Sequence, residues 1–423
     1  MRVVIVGSGA AGNQAAETLR QLDSEVDITI VGADQEPFYS ACALPDYLAG
    51  WVPRKTLFLR CAGFYRQQNI NILLDLPVEA ILPHEQLVLA GKERLSYDRL
   101  ILATGSRPII PSIPGTSLPG NFVVKTVADI DRILRHNPRQ AVVVGSGNIG
   151  VEIAEALQIK GCEVSIVELQ EQIMPRSFDL YPACLIQSIL ESHHIRVYTQ
   201  ERAREVFGHG RVEGLISDHY TFACDTVIWA AGVKQNTELA AAAGLGIGAL
   251  GGIKVDKYLQ TSNEKIYACG DCVETFDMIS GQPALSLLWT SARSQARVAA
   301  YNCLGRDVLY PGALNIISEE IFGTNCAAAG LRGEQSSPET GRIIEREEHN
   351  GYTRIVISDN ALIGVQTVGT LDALGPIITF MKSRTSLEEI MRILSTGFLL
   401  EKMPWVAPLQ TWLSGQANEQ GRV

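Results

Sequence analysis

Ten residues near the start of the chain, Val3–Gly12, read V-V-I-V-G-S-G-A-A-G. An apolar, β-branched run ends in Gly7-Ser8-Gly9-Ala10-Ala11-Gly12, and an alanine-rich stretch follows from Gln14 to Leu22. Strand, glycine turn and helix in that order are the layout that holds a dinucleotide pyrophosphate. Gly7 permits the tight turn, Gly9 lets the backbone approach the phosphates, and Gly12 lets the helix pack on the strand. Free N–H groups at the positive helix end then donate to phosphate oxygens. Alone, six residues also fit an ordinary Gly-rich turn of an α/β domain, so the weight of the motif comes from its repetition.

The repeat is Ala141–Gly150, A-V-V-V-G-S-G-N-I-G, with Val151–Ile159 reading as helix behind it. Glu163–Glu168 is the next strand, and Glu168 lies 23 residues after Gly145. That is close to the ~20 expected of an acid that accepts from the adenosine ribose hydroxyls. In the first copy the matching strand is Ile28–Val31, with Asp34 just beyond it as the candidate ribose acceptor and Gly32 at the strand end. The chain therefore reads as carrying two dinucleotide sites.

The 423 residues suffice for two or three domains. A hydrophobic share of 46% and a charged share of 19% fit a globular enzyme with sizeable cores. A net charge of −10 argues against nucleic acid or an anionic membrane as partner. No apolar run approaches the roughly 18–20 residues that span a bilayer, and Val3–Val6 is too short for a signal peptide, so the chain reads as cytoplasmic. Nine scattered cysteines, an odd number, read as reduced thiols.

Between and beyond the two motifs, residues 37–50 form a loop or helix start containing Cys42, and residues 57–76 read as helix then strand. Val78–Ile81 and Leu87–Leu89 read as short meander strands. Arg99–Ala103 is a strand running into Ala103-Thr104-Gly105-Ser106-Arg107-Pro108, after which Pro108, Pro111 and Pro114 mark a crossover. Thr226–Gly232 and Ile266–Cys272 are further strands, the latter running into Gly270-Asp271, and Ser286–Leu304 is a long helix. From about residue 320 the pattern changes. Arg354–Ser358 and Ala361–Val368 alternate around the turn Asp359-Asn360, Leu374–Leu394 reads as one helix, and Ser414–Val423 is a polar tail.

Taken together these pieces resemble the two-dinucleotide-fold flavoproteins of the pyridine nucleotide–disulfide oxidoreductase class. The matching pieces are Gly7–Gly12, Ala103–Pro108, Gly145–Gly150 with Glu152, Trp229–Gly232 and Ala268–Cys272, in the family's order over the first 300 residues. Val298–Leu331 resembles the family's linker into its C-terminal domain. The resemblance implies an α/β fold class: two doubly wound, Rossmann-like dinucleotide-binding domains plus an α+β C-terminal dimerisation domain. It divides the chain into a discontinuous FAD-binding domain (1–114 and 246–320), an NAD(P)H-binding domain (115–245), an interface domain (321–413) and a flexible tail (414–423). It also implies a homodimer.

For FAD, the resemblance implies contacts from Gly7, Gly9, Ala10, Ala11, Gly12, Asp34, Val78, Ala103, Thr104, Gly105 and Gly270. Asp271 would bond the ribityl chain, and the helix starting near Trp289 would aim its positive end at the flavin pyrimidine edge. NADH, with NADPH second, would lie on Gly145, Gly147, Asn148, Ile149, Gly150, Glu152, Glu168 and Gly232. No Arg or Lys stands in Leu169–Pro175 to receive a 2′-phosphate, and Arg176 is the nearest in sequence.

Within the class, Cys42-Ala43-Leu44-Pro45-Asp46-Tyr47 is similar to the C-G-L-P-Y-Y of CoA-disulfide reductases and their NADH oxidase relatives. Those enzymes use a single redox cysteine beside the flavin. The disulfide reductases proper need a second cysteine four or five residues on, where this chain has Asp46 and Tyr47. A helix start is expected to lower the Cys42 pKa and make its thiolate nucleophilic. Cys42 as a small residue packed on the isoalloxazine ring is the other reading. Several features depart from the subgroup. No histidine occurs in Ala10–Gln14, Asn148 replaces the aromatic of G-x-G-Y-I-G, and the paired tyrosines of the third domain have no clear match around Gly351-Tyr352.

Cys269 and Cys272 form a C-x-x-C, but they flank Gly-Asp at a strand end without a second such pair, so neither metal nor redox chemistry is expected of them. Cys61, Cys162, Cys184, Cys224, Cys303 and Cys326 read as buried or incidental, and the seven histidines show no ligand spacing. The function expected is hydride transfer from NADH to FAD and on to a disulfide or oxygen through Cys42. An alternative stays open: an NADH-dependent electron-transfer flavoprotein serving a ferredoxin or other iron–sulfur partner, with Cys42 a bystander. A scaffold binding FAD only structurally would leave two intact nucleotide motifs unexplained.

Overall fold

The structure, a computed structural model, describes residues 1–348, 351–372 and 374–395. The tail expected at 414–423 and the end of the expected interface domain lie outside the described residues. The opening motif forms the centre of a five-stranded parallel sheet in the order Ile266–Ala268, Arg99–Leu102, Arg2–Val6, Asp27–Val31, Ile70–Leu73. Its strands are near-continuous apolar runs because both faces are covered. On one face the helices Ala10–Leu22 and Trp289–Cys303 pack through Ala15, Ala16, Leu19, Ala292, Ala296 and Ala299 onto Val3, Ile5, Ile28 and Ile30. On the other, Ala80–Leu82, Leu87–Ala90 and Glu93–Ser96 form a three-stranded antiparallel sheet whose Ile81 and Val88 meet Val4, Val6, Leu100 and Leu102. Val78, expected in a strand, lies ahead of Ala80–Leu82 in unpaired chain.

The second motif builds the same arrangement again. A parallel sheet runs Arg196–Tyr198, Glu163–Val167, Gln140–Val144, Thr226–Trp229, Asn121–Val123. Its helices include Asn148–Ile159, and an antiparallel trio Ala203–Phe207, Gly214–Ser217, Thr221–Ala223 covers the opposite face through Leu215, Phe222 and Val206. The two units are joined by a narrow ribbon in which Ser106–Pro108 pairs antiparallel with Val233–Gln235.

The last sheet is antiparallel: Ile316–Ile321, Thr324–Gly330, Ala361–Val368, Gly351–Ser358, Arg342–Glu348. Ile316–Ile321 crosses the boundary expected at residues 320/321, because it pairs with Thr324–Gly330 and so belongs to this sheet. The single helix expected over Leu374–Leu394 is two, Leu374–Ser383 and Leu387–Ser395. Ser383-Arg384-Thr385-Ser386 separates them, with Arg384 at φ +51° and hydroxyls that bond locally instead of continuing the helix.

One apolar core spans all three units. Leu44 and Leu48, from the short helix Leu44–Ala49, pack with Ile153 and Leu157 of Asn148–Ile159 and with Ile317, Ile321 and Cys326 of the last sheet. Beside it, Asp179 accepts from Arg354 Nε at 2.8 Å, Gln366 Nε2 at 2.9 Å and Gly333 N at 3.0 Å, while its own N–H donates to Gln366 Oε1 at 2.8 Å. This latch fastens the second nucleotide unit to the last sheet.

The side chains of Arg354 and Asp179 are only 14% and 12% exposed. Asp179→Ala leaves a desolvated guanidinium with one fewer partner, and its expected cost is ~3–5 kcal/mol. Urea unfolding measures it, and a loss below ~1 kcal/mol would mean that the pair behaves as a solvated surface bridge.

Candidate functional site

A cavity of about 1900 Å³ opens where the three units meet. Both glycine turns face it. Gly7 and Gly145 hold φ of +118° and +103°, and a Cβ on either would lie 2.1 Å from Ala103 O or 2.4 Å from Ala230 O. Gly12 and Gly150 serve packing, since a Cβ there would meet the Gly7 or Gly145 carbonyl oxygen at 1.9 or 2.1 Å. Gly9 and Gly147 differ in kind: a Cβ at either finds nothing within 4 Å and points into open space. Each is the N-cap of its helix, and neither helix end has a side-chain cap. The first N–H groups of Ala10-Ala11-Gly12 and of Asn148-Ile149-Gly150 are thus unsatisfied donors at a positive helix end, which suits an anionic diphosphate.

Every other residue expected at the cofactors also lines this cavity: Asp34, Val78, Ala103, Thr104, Gly105, Glu152, Glu168, Gly232, Gly270, Asp271 and Trp289. Gly12 alone stays behind the wall, consistent with its packing role. Thr104 Oγ1 donates to Asn236 O at 2.6 Å, and Asn236 Nδ2 donates back to Thr104 O at 2.8 Å. Gly270 N donates to Gln295 Oε1 at 2.7 Å, which fixes Asp271 at the strand end. Asp271 Oδ2 accepts from Ser106 Oγ at 2.8 Å and from Lys125 Nζ at 3.2 Å. Trp289 begins its helix at the cavity wall, its ring stacked on Phe38 at 5.5 Å.

The two ribose acids are not equivalent. Gly7 N bonds Val31 O and Gly145 N bonds Val167 O, so Gly32 holds the place that Glu168 holds in the second unit. Glu168 is buried, with Oε2 accepting from Ser146 N at 2.8 Å and Ser146 Oγ at 2.6 Å, and Oε1 from Gln170 N at 2.8 Å. Three of its roughly four lone-pair positions are used, which leaves room for one ligand hydroxyl. At position 32 a Cβ would stand 2.3 Å from Ser8 Oγ, so a side chain there would require Ser8 to shift. Asp34 stands two residues further on, its carboxyl held above its ordinary range by burial and then Asp129, against Lys125.

Cys42 sits in the single turn Ala41–Ala43 that leads into Leu44–Ala49, facing the cavity. The lowered pKa expected of it is overturned. The cavity walls desolvate the thiol and push its pKa up, and Glu152 and Glu319 raise it further. The six-residue helix behind it starts at Leu44, and the Cys42 N–H is the one group that opposes the shift. Cys269 and Cys272 are wholly buried, and Cys272 Sγ donates to Cys269 O at 3.3 Å.

Among the cavity-wall residues that escaped the sequence reading are Ser106, Lys125, Arg202 and Glu319. Ser106 stands inside the Ala103–Pro108 motif and could have been singled out there. Arg202 comes beside Glu168 because Glu201 N bonds Glu168 O at 2.8 Å, a register no spacing rule reveals. Lys125 and Glu319 carry no local signal at all.

A family model described as pyridine nucleotide-disulphide oxidoreductase matches residues 1–300. An NADH oxidase of Methanocaldococcus jannaschii is 34% identical over 342 residues, 78% of this chain and 76% of that protein. A CoA-dependent NAD(P)H sulfur oxidoreductase of Pyrococcus furiosus is 30% identical over 345 residues, 80% of this chain and 78% of that one. Among solved structures, an NAD-dependent persulfide reductase from A. fulgidus is similar with a TM-score of 0.85 and 28% identity, covering 93% of this chain and 79% of that chain.

Gly9 and Gly12 separate binding from packing. Gly9→Ala should change unfolding free energy by no more than about 0.5 kcal/mol while the purified protein loses most of its bound dinucleotide. Gly12→Ala should lose both stability and dinucleotide, read by thermal melting and absorbance. A Gly9→Ala protein that retains full dinucleotide content would count against the phosphate-facing role.

Proposed function

The chain belongs to the pyridine nucleotide-disulphide oxidoreductase family, and from that premise we propose that it reduces a disulfide or oxygen through Cys42. It is an FAD-dependent NAD(P)H oxidoreductase. The cavity residues fit FAD: an uncapped helix end, the open face of Gly9, and the Asp271 carboxylate on the same cavity wall. When bound, FAD accepts hydride from NADH and passes on two electrons. The observation that carries the reading is convergence. Two uncapped glycine turns, Asp271 and a single accessible thiol line one cavity.

On this reading Gly7–Gly12 and Ala103–Gly105 hold FAD, and Lys125 with Ser106 orients Asp271 toward the ribityl hydroxyls. Gly145–Gly150 holds the NADH pyrophosphate, and Glu168 accepts from a ribose hydroxyl. Cys42, fixed by the core under Leu44 and Leu48, waits for the acceptor. The likeness to an NADH oxidase and to a CoA-dependent sulfur oxidoreductase supports the acceptor class. The chain works as a homodimer in the cytoplasm, joined through its last sheet. No helix among the described residues is long and apolar enough to cross a membrane.

Two outcomes are expected. Cys42→Ser should abolish NADH-driven disulfide reduction while NADH still bleaches the bound FAD. Undiminished disulfide turnover by that variant would leave the iron–sulfur electron-transfer reading. NADH should be preferred to NADPH, because a 2′-phosphate would approach the buried Glu168 carboxylate. Arg176 and Arg202 line the same cavity, so Arg202→Ala should widen the preference, read as the ratio of kcat/KM values. A higher kcat/KM for NADPH in the wild type would refute it.

A further inference from the structure

We propose that Glu319 and Glu152 hold one proton between them beside Cys42 and release it to the leaving sulfur of a disulfide acceptor. The proposal rests on Cys42 as the thiol that meets the acceptor.

The geometry comes from two unrelated elements. In the strand Ile316–Ile321, residues Ile317, Glu319 and Ile321 share one face, and both isoleucines are buried in the common core. Glu319 is therefore a carboxyl at an apolar-face position. It meets the helix Asn148–Ile159, where Asn148, Glu152 and Glu155 recur at i, i+4 and i+7 along one side. Asn148 Nδ2 donates to Glu319 Oε1 at 3.3 Å, and Glu155 Oε1 accepts from Phe322 N at 2.7 Å. Glu152 lies between these two anchors, on the cavity wall that also carries Glu319 and Cys42. Two carboxyl groups brought together away from water hold one proton between them more readily than two charges.

The surroundings keep that proton in place. From the Cys42 segment and the helix after it come Cys42 and Asp46; from Asn148–Ile159, Glu155; from the strand, Glu320; and His193 stacks on Phe322. The charged groups acting on Glu152 are all carboxylates. Burial first, then Glu319, pushes the Glu152 carboxyl up to about 9. The protonated form is thus favoured, and the proton is lost as pH rises.

The chemistry balances without a further reagent. Cys42 gives up its thiol proton to solvent, and the thiolate attacks the nearer sulfur of R–S–S–R′. The Sγ–S bond forms, the S–S bond breaks, and R′S⁻ takes the shared proton to leave as R′SH. Cys42 is oxidised to the disulfide level as R′S is reduced to a thiol, and both carboxyls are left ionised. A basic alkyl thiolate needs that proton, whereas a stabilised aromatic thiolate leaves without it.

The test uses the FAD-loaded enzyme with NADH and two uncharged acceptors, hydroxyethyl disulfide and dithiodipyridine, across pH. Glu319→Gln removes the facing charge and supplies an amide donor to Glu152. The alkaline limb of hydroxyethyl disulfide turnover should move down by at least about one pH unit, a tenfold loss above the new limb. That loss should exceed the loss with dithiodipyridine about tenfold. An unmoved limb, or equal losses with both acceptors, would overturn the proposal and leave the pair a structural contact. Cys42→Ser tests the underlying reading separately: disulfide turnover that survives in it removes Cys42 as the nucleophile, whatever Glu319→Gln does.

Discussion

The packing of the short helix Leu44–Ala49 on the helix Asn148–Ile159 is the contact on which the site depends. Leu44 and Leu48 reach across from the first nucleotide unit to Ile153 and Leu157 of the second, and Ile317 and Ile321 close the cluster from the last sheet. Burying side chains of this size is worth roughly 1.5–3 kcal/mol each. Because the cluster lies directly behind Cys42, the same apolar contacts that hold three units together bring a thiol and two carboxyls to one spot.

Charge is distributed along the cavity by function. The cationic side chains on its wall stand toward the nucleotide ends, with Lys125 on Asp271 and Arg202 beside Glu168. The thiol end is acidic, with Asp46, Glu152, Glu155, Glu319 and Glu320 around Cys42. A net charge of −10 is visible in composition, but this partition is not.

What could be read without coordinates follows from how local the constraint is. Gly7, Gly12, Gly145 and Gly150 are legible because steric exclusion by a nearby carbonyl leaves no other residue, and the turn that brings that carbonyl close is encoded in the motif itself. The parallel strands were legible as apolar runs. Glu319 was not, because its meaning lies in a strand register against a helix far away in the chain. The Cys42 thiol was misjudged for the same reason: helix polarity is local and visible, while the burial, and then the carboxylates, that outweigh it arrive through tertiary packing. The break at Arg384 within 374–394 was hidden because apolar periodicity continues on both sides of it.

The Asp179 latch has a mechanical consequence. Arg354, Gln366 and Gly333 grip it, so the second nucleotide unit and the last sheet are fastened to each other. The first unit is tied to this pair by the Leu44–Leu48 cluster on one side and by the ribbon Ser106–Pro108 with Val233–Gln235 on the other. With three paired residues per strand, that ribbon is a slender connection. A load on the nucleotide end would therefore be carried by a link only two strands wide, whereas the thiol end is seated on a broad apolar cluster.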